Sequence, residues 1–309
     1  MSAPYSPREP ARNDEMKKYY YAKIGQGNSQ AERYLRGENE INKPAIPIYF
    51  NCEPGNKEDF LRNGGSNEQG KNFFECGESN KDKHIIVIHN GLVRFLEPIG
   101  DVEFKKSELP EKIGQYVKLL PIKEVKQLSI TDVPAILASI AANRYYSSGT
   151  FRRIENLGNI IAIQVLLGQE IEVPSKSSIN AITCLSSFEF ETLIAKIFEE
   201  AECFVPAYRG GNMQGADLFA YNKTASTINM GRLSINPNKG ISIQVKLTSK
   251  LKEPPHGVDF LIVGTEIPES DNCLGYEWLV NVLARSNKTL RWLRQSLEWL
   301  PADYLNATI

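Results

Sequence analysis

Long apolar runs are missing from this chain. None approaches the roughly 18–20 residues that a bilayer-crossing helix needs, and Met1-Ser2-Ala3-Pro4-Tyr5 lacks the basic and apolar segments of a secretory signal. A membrane-spanning protein is therefore not expected, and a cytoplasmic location is. Cysteine is sparse: Cys52, Cys76, Cys184, Cys203 and Cys273 form no C-x-x-C pair, which argues against a zinc site or a disulfide framework and for reduced thiols. Histidine is sparser, and His84, His89 and His256 stand at spacings that suit no histidine-based metal motif. Charge of one sign is missing as well. With 36 basic and 37 acidic residues the net charge is −1, so nothing pulls the whole chain toward nucleic acid, and any phosphate contact must come from a local patch.

What is present fits a globular α+β protein. Hydrophobic residues make up 41% and charged residues 24% of 309 positions, enough for two domains of ordinary size. Residues 1–14, with Pro4, Pro7 and Pro10 among polar neighbours, read as a flexible arm. Residues 15–130 read as a β-rich domain. Strands are expected at Lys17 to Ile24, Ile46 to Asn51, Asn72 to Cys76, His84 to His89, Leu92 to Pro98, Val102 to Lys105 and Tyr116 to Pro121, with one helix from Ser29 to Arg36. Asn90-Gly91 is the signal of a tight hairpin. Many short strands with few helices suggest a small twisted barrel.

The period changes at Asp132. Val133, Ile136, Leu137 and Ile140 form an apolar helical stripe behind an Asp132 cap, and a second helix from Asn159 to Leu167 ends at Gly168, so residues 131–171 read as a helical connector. Residues 172–178 read as a linker, and 179–309 as a second domain. At its far end Leu290, Leu293, Leu297 and Leu300 share a helical face beside Trp292 and Trp299, a core-packing stripe with a dimer contact as the sharper alternative.

The chemistry concentrates between Phe190 and Lys246. Phe190, Leu193, Ile194, Ile197 and Phe198 repeat at helical spacing, which puts Glu191 at the edge of a buried stripe. A glycine-rich turn from Arg209 to Gly215 leads into Asp217 and the short run Leu218 to Tyr221. Ile241, Ile243 and Val245 alternate with Ser242, Gln244 and Lys246, the pattern of a strand with two different faces. Paired strands would bring a carboxylate, an amide oxygen and an ammonium together. A Gln-x-Lys triplet alone is weak evidence, because a chain of this length has roughly even odds of one by chance. The order of helix, turn, aspartate and alternating strand carries more. The plain alternative makes Asp217 a turn residue and Gln244 and Lys246 a solvated strand face.

This arrangement resembles the Mrr-like branch of the PD-(D/E)XK nucleases, over about a quarter of the chain, on Phe190-Glu191, Gly215-Ala216-Asp217 and Gln244-Val245-Lys246. The resemblance implies a restriction-endonuclease-like mixed sheet flanked by helices. It implies a divalent ion, Mg²⁺ with Mn²⁺ able to substitute, held by Asp217, Gln244 and the Val245 carbonyl. Lys246 would serve the attacking water, and Glu191 would be the helix glutamate. Phe188-Glu189 repeats the dipeptide, so Glu189 competes for that last role; register against Leu193 and Ile194 favours Glu191.

In the first domain, the run Tyr20 to Gly25 and the segment His84 to Glu97 resemble the PUA-like barrels, including EVE-type readers. Tyr20, Tyr21, Phe50 and Phe74 are then candidates for stacking an extruded base, although strand alternation sends about half of such residues into a core. Arg144, Arg152, Arg153, Arg209 and Lys250 are candidate phosphate contacts. The expected activity is restriction-type, Mg²⁺-dependent cleavage of double-stranded DNA, with a sequence or a modified base as the target read by the first domain, by a homodimer at least during cleavage and with a cognate DNA methyltransferase as a possible partner. The rivals are a repair or RNA-directed nuclease with the same residues, and a DNA-binding regulator with an inactive nuclease fold.

Overall fold

The computed structural model describes residues 17–49, 55–62, 68–78, 82–109, 113, 115–143, 146, 148–172, 180–206, 216–247, 253–302 and 304. It is a mixed α+β protein of two compact units, one formed by residues 1–129 with 144–154, the other by 130–143 with 155–309. The expected connector is therefore divided between the units instead of standing apart. The expected arm and most of the expected linker lie outside the described residues.

In the first unit the chain runs β1 (Lys18–Ala22), α1 (Ala31–Leu35), β2 (Ala45–Ile48), α2 (Lys57–Phe60), α3 (Glu68–Glu78), β3 (Lys83–His89), β4 (Leu92–Pro98), β5 (Glu103–Lys106) and β6 (Tyr116–Ser129), and later adds β7 (Phe151–Arg153). These strands form one mixed sheet, ordered β2-β6-β4-β3-β1-β7, with β5 also on β6. Only β1 and β3 run parallel; the other pairs are antiparallel. Asn90 and Gly91 both take positive φ at the β3–β4 turn, as a type I′ hairpin requires. β6 is much longer than its expected span because its second half, Ile122 to Ser129, pairs with all of β4.

β1 explains why aromatic residues dominate this core. It lies between β3 and β7, and both of its faces are covered. Tyr20 stacks on Phe151, which Phe73 meets edge-on, while on the other face Tyr19 stacks on His84 and Tyr21 meets the edge of Tyr146. Phe73, Phe74 and Cys76 belong to a helix, not to the expected strand. Of its six buried positions, Gly70, Phe73, Phe74 and Gly77 repeat at i, i+3, i+4 and i+7. Two of the four are glycines, so an apolar count misses the period. Gly77 is small for a reason: a Cβ there would come within 3.1 Å of Val102 and 3.2 Å of Leu120.

The second unit opens with a 3-10 turn, Ile130–Asp132, followed by α4 (Ala135–Ala138), whose N-cap is Pro134 instead of the expected Asp132. The stripe Val133, Ile136, Leu137 and Ile140 is buried as expected. α5 (Leu157–Leu167) ends at Gly168 in the left-handed conformation. Then come α6 (Ser187–Glu200), β8 (Cys203–Phe204), β9 (Leu218–Asn222), the hairpin β10 (Ile228–Met230) and β11 (Leu233–Ile235), β12 (Gly240–Lys246), β13 (Phe260–Val263), β14 (Cys273–Leu274), α7 (Tyr276–Leu283) and α8 (Asn287–Ser296).

The second sheet is ordered β14-β13-β12-β9-β8, parallel from β14 to β12 and antiparallel from there to β8. α6 lays Phe190, Leu193, Ile194, Ile197 and Phe198 into one core with Leu218, Ala220, Ile243, Val245 and Ile262. Truncating a fully buried phenylalanine such as Phe190 to alanine costs about 3–5 kcal/mol. Leu293, Leu297 and Leu300 join this core with Trp292 and Trp299 packed on it, so these five residues are internal packing, while Leu290 is half-buried. The Trp278 indole N–H donates to the Met230 carbonyl at 2.8 Å, tying the hairpin to α7.

Candidate active site

The site lies where the ladder between β9 and β12 ends. Leu218 is opposite Ile243, and just beyond it Asp217 N–H donates to the Ile243 carbonyl at 2.8 Å. Backbone polar groups of successive strand residues face opposite flanks, so Ile243 and Val245 address the β9 side, and Gln244 and Lys246 the β13 side. The Lys246 carbonyl accordingly accepts from Gly264 N–H at 3.0 Å. Val245 faces the place where β9 has run out. Its N–H donates instead to Asp217 Oδ2, at 2.7 Å.

Side chains complete the cluster. Gln244 and Lys246, two residues apart, share the face of β12 opposite to Ile243 and Val245. Gln244 Nε2 donates to Asp217 Oδ2, and Lys246 Nζ lies 3.4 Å from the same oxygen. Asp217 Oδ2 thus collects a main-chain N–H, an amide and an ammonium, while its Oδ1 accepts none among the described residues. A carboxylate is an acceptor only, so the amide must present its nitrogen. Gln244 is buried, whereas the Lys246 side chain is 44% exposed and that of Asp217 24%, so the centre opens to solvent on the lysine side.

A second carboxylate near β12 is already occupied. Asp259 Oδ2 accepts from both the N–H and the Oγ of Ser242, each at 2.7 Å, and Asp259 N–H returns a bond to Ser242 Oγ at 3.0 Å. That exchange fastens the approach to β13 onto β12. Among the described residues no three His, Cys, Asp or Glu side chains gather as a metal site. A cation here would meet one carboxylate supplemented by neutral oxygens.

The two helix glutamates part company. Glu189 completes a capping box: Glu189 N–H donates to Ser186 Oγ at 3.1 Å, and Ser186 N–H donates to Glu189 Oε2 at 2.8 Å. Burial pushes its carboxyl above the usual range, against the lowering effect of those bonds. The Ser186-x-x-Glu189 spacing announces this role in the sequence itself. Glu191 is half-buried near the start of α6 and is not among the partners of Asp217.

Several expected contacts are corrected. Tyr20, Tyr21 and Phe74 are core residues, exposed by 0%, 2% and 5%, and their ring neighbours are Phe151, Tyr146, and Phe60, Phe73 and Phe104, which leaves no free aromatic face for a base. Arg152 pairs with Glu68 at 3.0 Å with its side chain only 16% exposed, so its charge is committed within the first unit. Arg153 is half-buried on β7 opposite Tyr20 and close enough to Glu75 to help hold that carboxyl below the usual range. Phe50, Arg144, Arg209 and Lys250 lie outside the described residues. Comparisons with protein-family models, with curated proteins and with solved structures find no match to this chain.

Proposed function

We propose that the second unit is a nuclease domain of PD-(D/E)XK type that hydrolyses phosphodiester bonds in double-stranded DNA, and that the first unit, a PUA-like reader, selects the target. The observation that carries this reading is the meeting of Asp217, Gln244 and Lys246 at the open end of β12. The donor set suits a hard divalent ion: the Asp217 carboxylate, the Val245 carbonyl on the same flank, and the Gln244 amide oxygen once the amide is turned. Mg²⁺, or Mn²⁺ in its place, would supply relief of the negative charge that builds on the scissile phosphate.

The protein's own groups do the rest. Lys246 keeps its ammonium at the solvent side of the centre, where its donors orient a water and favour its hydroxide form. Asp217 holds Lys246 in place. With a single carboxylate the ion is bound weakly, so activity at millimolar Mg²⁺ is expected. Recognition falls to surface side chains of the first unit, since Tyr20, Tyr21 and Phe74 are internal. Cutting both strands calls for two such centres, hence a dimer during cleavage. Cleavage of unmodified target DNA would call for a protecting methyltransferase as partner, whereas cleavage of modified DNA would not.

Incubating modified, unmodified and single-stranded DNA with the protein in Mg²⁺, Mn²⁺ or EDTA tests the reading. Cleavage of duplex DNA that requires the ion, and that Asp217→Asn and Lys246→Ala lose while still binding DNA, is the expected result. Undiminished cleavage by either variant removes the mechanism. Binding without cleavage in any ion favours the DNA-binding regulator, and cleavage confined to RNA or single strands favours the repair or RNA-directed nuclease.

A further inference from the structure

We propose that Gln244 keeps Asp217 Oδ2 hydrogen-bonded when no cation is there, and thereby sets how strongly the centre takes a divalent ion. The inference rests on the metal-dependent reading above and concerns its regulation.

The residue type matters because of what each alternative leaves unpaired. A glutamate at position 244 would put a second acceptor-only anion against Asp217 Oδ2, with Lys246 as the one cation paired with it among the described residues; such a pair holds together only around an added positive charge. An amide does the opposite. Its NH₂ lies on Asp217 Oδ2 beside the Val245 N–H and Lys246, so that oxygen is satisfied before any ion arrives, while Oδ1 accepts none among the described residues. To offer oxygen, the amide must turn by half a rotation. That breaks its bond to Asp217 and sets two oxygens face to face, an arrangement that only a cation between them makes favourable. The turn is costly here because Gln244 is 6% exposed, so solvent does little to replace the bond its NH₂ gives up. The centre is therefore built to fold unloaded and to load only when the ion is plentiful.

The test compares the 309-residue chain with Gln244→Glu and Gln244→Leu, by thermal unfolding in EDTA and in millimolar MnCl₂ and by calorimetric titration with Mn²⁺. Gln244→Glu is expected to melt roughly 5 °C lower in EDTA, to recover with Mn²⁺, and to bind Mn²⁺ at least about tenfold more tightly than the unaltered protein. Gln244→Leu is expected to lose stability in EDTA with no recovery. Should Gln244→Glu not fold in EDTA, folding on addition of Mn²⁺ supports the proposal, and continued failure overturns it. Equal Mn²⁺ affinities for the unaltered protein and Gln244→Glu, or equal melting in EDTA, overturn the role of Gln244 while leaving the metal reading in place. Absence of binding by both overturns the two together.

Discussion

The main-chain N–H of Val245 donates to the carboxylate of Asp217 across 28 residues of sequence, at 2.7 Å. Asp217 therefore ends the ladder of β9 and β12 as well as gathering the polar side chains of the site.

That double duty decides which substitution is informative. Asp217→Ala leaves the Val245 N–H and the Gln244 amide unpaired in a largely buried place, and is expected to cost about 1–3 kcal/mol of stability. Asp217→Asn still offers an oxygen to the Val245 N–H and is expected to stay within about 1 kcal/mol of the unaltered protein. Urea unfolding of the two variants measures the difference. An alanine variant as stable as the asparagine variant would mean that the carboxylate carries no structural share.

Glu189 and Glu191 should separate cleanly. Glu189→Ala removes half of the capping box and is expected to cost about 1 kcal/mol, whereas Glu189→Gln preserves the reciprocal bond. The folded pKa of Glu189 lies above its unfolded value near 4.5, so its contribution is most favourable below that pH and is lost as pH rises through the folded value. Glu189→Gln is thus expected to be the more stable protein at neutral pH and to lose that advantage below about pH 4.5. Denaturation at both ends of the range checks the sign.

Gly158 stands inside α5, where glycine to alanine ordinarily gains about 1 kcal/mol. Here the added Cβ would lie 2.8 Å from the Thr183 carbonyl oxygen and 2.9 Å from Cys184 Cα, both backbone atoms. Overpacking of that kind costs about 1–3 kcal/mol and should win. A Gly158→Ala protein with raised melting temperature would show that the segment around Cys184 gives way.

His84 is buried against Tyr19, and burial, opposed by nearby Glu97, holds its pKa below the usual value near 6.5. A depressed folded value means stability present at higher pH and lost as pH falls from about 6.5 through the folded value, because the unfolded chain takes up the proton first. His84→Gln should flatten that slope. Unfolding curves across roughly pH 5–8, about 1.5 units either side of the ordinary histidine value, are the measurement.

Much of this molecule could be read from the sequence where local chemistry and tertiary packing agree. The helical period at Phe190 to Phe198, the alternation at Ile241 to Lys246, the Asn90-Gly91 turn and the Gly168 cap all appear where expected. Asp217, Gln244 and Lys246 meet because a turn residue and two strand residues share one end of a sheet, a relation that alternation exposes. α3 escaped because two of its six buried residues are glycines, and β7 because three residues carry no period. The tyrosines of β1 misled because alternation distinguishes two faces without saying that both are covered.

β7 reaches β1 only after residues 130–143 have contributed to the other unit. A fragment ending at Ser129 would lack β7 and bare the hydrogen-bonding rim of Tyr20 and Tyr21, an invitation to strand exchange and precipitation. An expressible first unit needs Arg144 to Ile154 rejoined by a short bridge.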